Sequence, residues 1–176
     1  MINLEKGQRI EIERSLNRVR VNLGWQACET PGVDFDLDAS AFMLGSNGKL
    51  PLDEFFVFYN NQESPDGSVK SSGDDGEELK VELNRVDSRI QEILFTVTIH
   101  KATERRQNFG QVRNSYISLS NDETGEEIAR YDLDEDFSVE NAVEFGRLYR
   151  RGGGWKFEAV GRGDRNELAG LVDKYQ

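Results

Sequence analysis

Three aspartates at alternate positions, in the string Asp34-Phe35-Asp36-Leu37-Asp38, are the residues of this chain best spaced to do chemistry. On a strand alternate side chains share a face, so the three carboxylates line one side while Phe35 and Leu37 enter the core. Like charges this close repel, and no base lies nearby in sequence. A hard cation is the natural compensation, because Ca2+ takes about six to eight oxygen ligands at about 2.3–2.6 Å. The string is not an EF-hand loop. Its sixth position is Ala39, where glycine is needed, and its twelfth is Gly45, where a bidentate glutamate is needed. Strand residues two apart are separated by roughly 6.5–7 Å at Cα, so three such aspartates serve two ions, or one ion with help from loops.

Two further oxygen-rich segments follow. Asn60-Asn61 ends an aromatic run and leads into the turn Ser64-Pro65-Asp66-Gly67, and Gly73-Asp74-Asp75-Gly76-Glu77-Glu78 is a second acidic, glycine-flanked loop. Glycine lets backbone carbonyls and carboxylates converge. Taken singly, each segment reads as readily as an Asx turn or a solvated acidic face. Together they sit in one window, from Asp34 to Glu78, that holds eleven acids against two bases and so carries nine of the chain's net −11 charges. That concentration favours metal binding, and an oxygen-only donor set points to Ca2+ or Mg2+ rather than Zn2+. The lone Cys28 and lone His100 argue against a structural zinc cluster and against an internal disulfide.

The remaining motifs carry less. Gly161-Arg162-Gly163 echoes a dinucleotide turn between a strand and a helix, but Asn166 stands where the third glycine belongs. Gly152-Gly153-Gly154 lacks the Gly-Lys-Ser/Thr of a phosphate loop and reads as a turn. Arg162-Gly163-Asp164 matches a cell-adhesion tripeptide of a kind that chance supplies often. His100 reads as a hydrogen-bonded structural residue at a strand end, and Trp25 and Trp155 as core. With 22 Lys and Arg against 33 Asp and Glu, the chain lacks the basic footprint that nucleic acid requires. No apolar run approaches the roughly 20 residues of a membrane span. No secretory leader opens the sequence, and a cytoplasmic location is expected.

The elements that must position these residues are mostly strands. Ile10 and Ile12 alternate with acids, and Val19, Val21 and Leu23 alternate with polar residues. Phe55-Phe56-Val57-Phe58-Tyr59 and the run from Ile93 to Ile99 have strand length. Tyr116-Ile117-Ser118-Leu119 and the stretch from Ile128 to Leu133 follow, with turn signals between. The stretch from Ser138 to Arg150 fits a helix or a strand. A hairpin of 143–149 and 155–160 about the glycines is the reading adopted. Leu168, Leu171, Val172 and Tyr175 share one face of a short terminal helix from Glu167. The expected fold is all-β, a two-sheet β-sandwich with a short C-terminal helix, as one domain over residues 1–176.

An ordered set of strings, spanning Leu4 to about Tyr175, resembles the TerD tellurium-resistance family. They are Leu23-Gly24-Trp25, Asp34-Phe35-Asp36-Leu37-Asp38-Ala39-Ser40, Phe56-Val57-Phe58-Tyr59-Asn60-Asn61, Ser64-Pro65-Asp66-Gly67, Val97-Thr98-Ile99-His100, Gln107-Asn108-Phe109-Gly110-Gln111-Val112, Ala129-Arg130-Tyr131-Asp132-Leu133 and Trp155-Lys156-Phe157. The resemblance implies a β-sandwich that binds Ca2+, usually two ions, and a role in bacterial tellurite and general stress resistance without an established enzymatic activity. Carried across, the ligands would come from Asp34, Asp36, Asp38, Asn60, Asn61, Asp66, Asp74 and Asp75. Two departures stand out. One glycine-acid cluster follows the Ser-Pro-Asp-Gly turn where members usually have two, and the Gly-Gly usual near the last helix is replaced around Asp164-Arg165-Asn166.

The expected function is that of a cytoplasmic calcium-binding stress-response protein, not an enzyme. Bound Ca2+ would order the acidic loops into a surface for partner proteins, among them other stress-resistance proteins at the membrane. One ion is expected to bind strongly, and a second weakly or not at all. Two alternatives remain open on sequence. A calcium-dependent membrane-surface module would need apolar or basic loop tips, which are few. A metal hydrolase would need a base beside the ion, and none is evident.

Overall fold

The computed structural model describes residues 1–27, 37–71, 78–100, 102–109, 112–133 and 140–176. Two six-stranded sheets account for most of these residues. Sheet I contains β1 (Ile2–Leu4), β3 (Arg18–Ala27), β6 (Val69–Ser71), β7 (Glu78–Glu82), β9 (Val112–Asn121) and β10 (Glu127–Asp132), in the order β1-β10-β9-β3-β7-β6. Sheet II contains β2 (Arg9–Glu11), β4 (Leu37–Leu44), β5 (Phe56–Val57), β8 (Glu92–Ile99), β11 (Ala142–Arg151) and β12 (Gly154–Asp164), in the order β2-β12-β11-β8-β4-β5. Pairing is antiparallel except between β1 and β10. Two α-helices, α1 (Ala102–Arg105) and α2 (Leu168–Tyr175), and two 3-10 turns, Asp53–Phe55 and Leu83–Arg85, complete the described elements. This is the two-sheet, all-β architecture with a short C-terminal helix expected from the strand periodicity.

The period of two along each strand explains where the core lies. Val19, Val21 and Leu23 of β3 face Ala41, Met43, Phe95, Val97 and Phe145 of sheet II, all buried in one cluster between the sheets. Sheet II is also covered on its outer face, where Phe42, Leu44, Phe56, Leu94 and Ala142 pack beneath Leu168, Leu171, Val172 and Tyr175 of α2. That second layer is why β8 reads as a continuous apolar run: all but its first residue is buried. Leu171 is fully buried there, and burying such a side chain contributes about 1.5–3 kcal/mol.

The hairpin about the glycines forms as expected, between β11 and β12. Gly152 and Gly153 have φ of 60° and 79°, the paired positive values that a two-residue type I′ turn demands. Other expectations change. The run from Phe55 to Tyr59 is not one strand. A 3-10 turn (Asp53–Phe55) precedes β5, which is only two residues long, and the chain then turns back on itself. The turn closes with reciprocal bonds between Phe58 and Asn61, each backbone N–H donating to the other's carbonyl at 3.0 Å. Gly161-Arg162-Gly163 lies inside β12 rather than between a strand and a helix. Trp155 is buried and Trp25 packs against the core, as read.

Candidate functional site

Asp38 is the second residue of β4, on the outer face of sheet II and half-buried, with Thr98 as its register partner on β8. The Thr98 side chain is 1% exposed, and its hydroxyl has no hydrogen-bond partner. Because β5 runs antiparallel to β4, the turn that follows β5 lies at the same end of the sheet as Asp38. Asn61 in that turn donates both amide protons, to the carbonyls of Glu54 at 2.9 Å and Phe56 at 2.8 Å. Its orientation is thereby set, and its amide oxygen remains as the acceptor. Asn60 is exposed beside it.

The next residues tie this turn to sheet I. Ser71 at the end of β6 donates its backbone N–H to the Gln62 carbonyl at 2.8 Å, and its buried side-chain hydroxyl also lacks a partner. The acidic loop that contains Asp74 and Asp75 leaves the described chain at Ser71 and re-enters it at Glu78, the first residue of β7. Asn22 of β3 pairs with Glu78, so β3 runs out toward the end from which β7 begins. The segment containing Asp34 and Asp36 joins the end of β3 to the start of β4. Asp34, Asp36, Asp74 and Asp75 themselves lie outside the described residues.

Asp66 is placed apart from these residues, at the tip of the hairpin that leads into β6. Its Oδ1 accepts from the Ser64 hydroxyl at 2.6 Å, the Ser68 hydroxyl at 2.7 Å and the Ser68 backbone N–H at 2.9 Å. Its Oδ2 accepts from the Asp87 backbone N–H at 2.8 Å. Burial alone would push this carboxyl up, but the hydrogen bonds from Ser64, Ser68 and Asp87 outweigh it and hold the pKa below its ordinary value. Here Asp66 staples the hairpin to the segment before β8. His100, expected to be a hydrogen-bonded structural residue, is exposed at the end of β8 and makes no hydrogen bond among the described residues.

The donors at the Asp38 end are carboxylate, amide and hydroxyl oxygens. That hard set, together with the two buried and unpartnered hydroxyls of Ser71 and Thr98, fits a hard divalent cation. Among the described residues alone, no three His, Cys, Asp or Glu side chains converge on a point that could hold a metal.

The sequence comparisons bear on the same architecture. A family model described as the TerD domain matches residues 1–175. The chain belongs to the TerD family. It is 49% identical over 185 aligned residues to the tellurium resistance protein TerD of Serratia marcescens, covering 99% of this chain and 96% of that one. It is 45% identical over 186 residues to general stress protein 16U of Bacillus subtilis (strain 168), covering 99% and 96% of the two chains. Solved TerD-like structures share the fold. A protein of unknown function, SAV2460, superposes with a TM-score of 0.71 at 23% identity, over 90% of this chain and 96% of that one. A telluride resistance protein homologue, SCO6318 of Streptomyces coelicolor A3(2), gives a TM-score of 0.66 at 22% identity, over 89% and 95%. This TerD-family chain has, among its described residues, no helix long and apolar enough to cross a membrane.

The groups that sequence reasoning left unassigned at this end are Thr98, Tyr59 and the Asp173 carboxylate of α2. A threonine in an otherwise apolar strand, and a tyrosine followed at once by two asparagines, were the available signals.

Proposed function

We propose that this TerD-family protein is a cytoplasmic calcium-binding stress-response protein that acts by binding partner proteins rather than by catalysis. Calcium neutralises the acidic segments 34–38 and 73–78 and orders them into a docking surface, with Asp34, Asp36, Asp38, Asp74 and Asp75 and the oxygens of Asn60 and Asn61 as ligands. The observation that carries this reading is the meeting, at one end of the sandwich, of Asp38, the Asn60-Asn61 turn and two unpartnered buried hydroxyls with the flanks of both acidic segments. The family's tellurium-resistance and general-stress relatives support the physiological half of the reading. The partners are other stress-resistance proteins, including ones at the membrane.

The test is a calorimetric titration of metal-stripped protein with Ca2+ and Mg2+, paired with thermal melts. A ligand that binds only the folded state stabilises it by RT ln(1 + [L]/Kd), about 2.7 kcal/mol at 100 Kd. Millimolar Ca2+ is expected to raise the melting temperature by several degrees (the scale set by about 2–8 °C per kcal/mol), and chelator reverses the gain. A melt unchanged by Ca2+ after metal stripping overturns the reading.

A further inference from the structure

A groove of about 620 Å³ lies on the outer face of sheet II, between α2 and the turns on either side of β5. Its floor is apolar, formed by Phe56, Phe58, Leu168 and Val172. Phe42, Phe56 and Phe58 stack in a row with ring centroids 4.5 Å apart at each step, and Tyr59 closes the row edge-on at 5.1 Å. This ladder runs from buried Phe42 to Tyr59, which is 43% exposed. Leu52, next to the groove residue Asp53, is 49% exposed. Large exposed apolar side chains gathered at one opening mark an interaction surface.

The rim carries a single sign of charge. Asp53, Glu104 and Asp173 line it without an ion pair to any described residue, and no lysine or arginine is among the residues that line the groove. At its inner wall the buried Thr98 hydroxyl has no partner. An unpaired hydroxyl in a buried position is unfavourable, and a ligand group that reached it would relieve that cost.

We propose that this groove is the docking site for a short, basic, amphipathic segment of a partner protein. An apolar side chain of the segment lies on Phe56, Phe58 and Val172. Its lysine or arginine heads sit over the Tyr59 ring and against Asp53, Glu104 and Asp173, where ring quadrupole and carboxylates both attract a cation. The Thr98 hydroxyl bonds a polar group of the segment. The volume falls in the range of about 300–1,000 Å³ that encloses a ligand of a few side chains, so a short segment fills it and a folded domain would contact only the rim. The acidic rim repels nucleic acid and anionic lipid headgroups. The proposal rests on the partner-binding reading above for the existence of a partner; Asp53, Glu104 and Asp173 are not among the proposed calcium ligands, whereas Asp38 and Thr98, at the end of the groove, belong to both sites.

A fluorescein-labelled, amidated peptide of about 14 residues, with leucines at helical spacing and lysines elsewhere, is the probe. A counterpart with glutamate for lysine controls for charge. Fluorescence anisotropy compares the unmodified protein with Tyr59→Ala, Asp173→Lys and, on the distant turn, Glu123→Lys, each in Ca2+ and in chelator. The expected result is a weakening of at least about tenfold, or 1.4 kcal/mol, for the first two variants and no change for the third. The glutamate peptide should not bind, and amide NMR shifts should map to Tyr59, Thr98, His100 and Val172. Equal affinities across the three variants, or shifts elsewhere on the surface, overturn the proposal. Sedimentation that shows a dimer dissolved by Asp173→Lys also overturns it, because the occupant is then a second copy. Groove binding by a protein whose melt and calorimetric titration do not respond to Ca2+ supports the groove and overturns the calcium part of the broader reading. A normal calcium titration with no peptide in the groove does the reverse.

Discussion

Glu144, fully buried on β11, accepts a hydrogen bond from the hydroxyl of Tyr175 in the last turn of α2. Lys174 Nζ reaches the same carboxylate oxygen at 3.2 Å, and Arg162 Nε lies 2.9 Å from the other. Burial and then the Glu144 carboxylate push the Tyr175 phenol above its ordinary value, so it stays protonated as a donor. The contacts from Tyr175 and Lys174 to buried Glu144 tie the last turn of α2 to the sheet beside its apolar face. Tyr175→Phe leaves the ring packed on Phe42 but takes the donor away. Urea denaturation should show a loss of about 1.5–3 kcal/mol, the range for a hydrogen bond to a charged group. A loss below about 0.5 kcal/mol would show that the two cations suffice.

Gly24 lies opposite Tyr116 across the β3–β9 pair, and the tyrosine ring covers it. A Cβ added at Gly24 would meet the ring at 2.2 Å, and the Arg130 guanidinium, 3.8 Å from the ring centroid, stacks on that ring. This close approach explains a glycine in the Leu23-Gly24-Trp25 string. Gly24→Ala is expected to cost about 1–3 kcal/mol by overpacking. Tyr116→Ala on its own loses packing, but the double variant should be more stable than the sum of the two losses. Strict additivity in thermal or urea melts would refute the contact.

Asp66 has a folded-state pKa below its ordinary value near 3.8. Its hydrogen bonds therefore contribute stability that is fully present above that value and is lost as pH falls through the lower folded value. Asp66→Asn keeps the shape but weakens the acceptors, and should cost about 1–2 kcal/mol at neutral pH, within the range for such bonds. The gap between the two proteins should close below about pH 3.8. Urea midpoints at pH 6 and pH 3 check this, and a gap that widens in acid would reverse the assignment.

Asp36→Asn or Asp75→Asn should weaken Ca2+ binding at least tenfold, about 1.4 kcal/mol, while a carboxylate outside the acidic window should be silent. Asp122 is a poor control because it binds Arg20 at 2.7 Å, and Arg20 also lies 3.6 Å from Glu78 at the edge of that window. The exposed Glu123 next to it is the better one, as Glu123→Gln. Equal affinities for all three variants would reduce the acidic window to a solvated face.

Calcium stoichiometry follows from the single glycine-acid cluster between the Ser-Pro-Asp-Gly turn and β7. Fewer local carboxylates mean weaker retention, since affinity follows ligand charge and rigidity. Lys70, which lies 3.7 Å from Glu63, adds positive charge beside the loop. One well-occupied ion and a second that is weak or absent are expected by calorimetry. Two sites of similar sub-micromolar affinity would show that Glu77 or Glu78 restores the count.

Residue pattern alone determined the class of fold, because alternation and apolar runs are local properties of the chain. The strands around Val19, Ile93 and Ile128, the Gly152-Gly153 turn and the apolar face of α2 were legible for that reason, as were the acidic segments and the family. Tertiary structure decided what depends on residues distant in sequence. The length of β5 was set by the Phe58–Asn61 turn and its Asn61 bonds, which no propensity encodes. The three-residue β1 exists only because β10 offers it an edge. Asp66 and Asp38 have the same side chain and the same net charge. One accepts four hydrogen bonds from Ser64, Ser68 and Asp87 at a hairpin tip, and the other stands in register with Thr98 on the outer face of sheet II, because distant segments bring different neighbours to each.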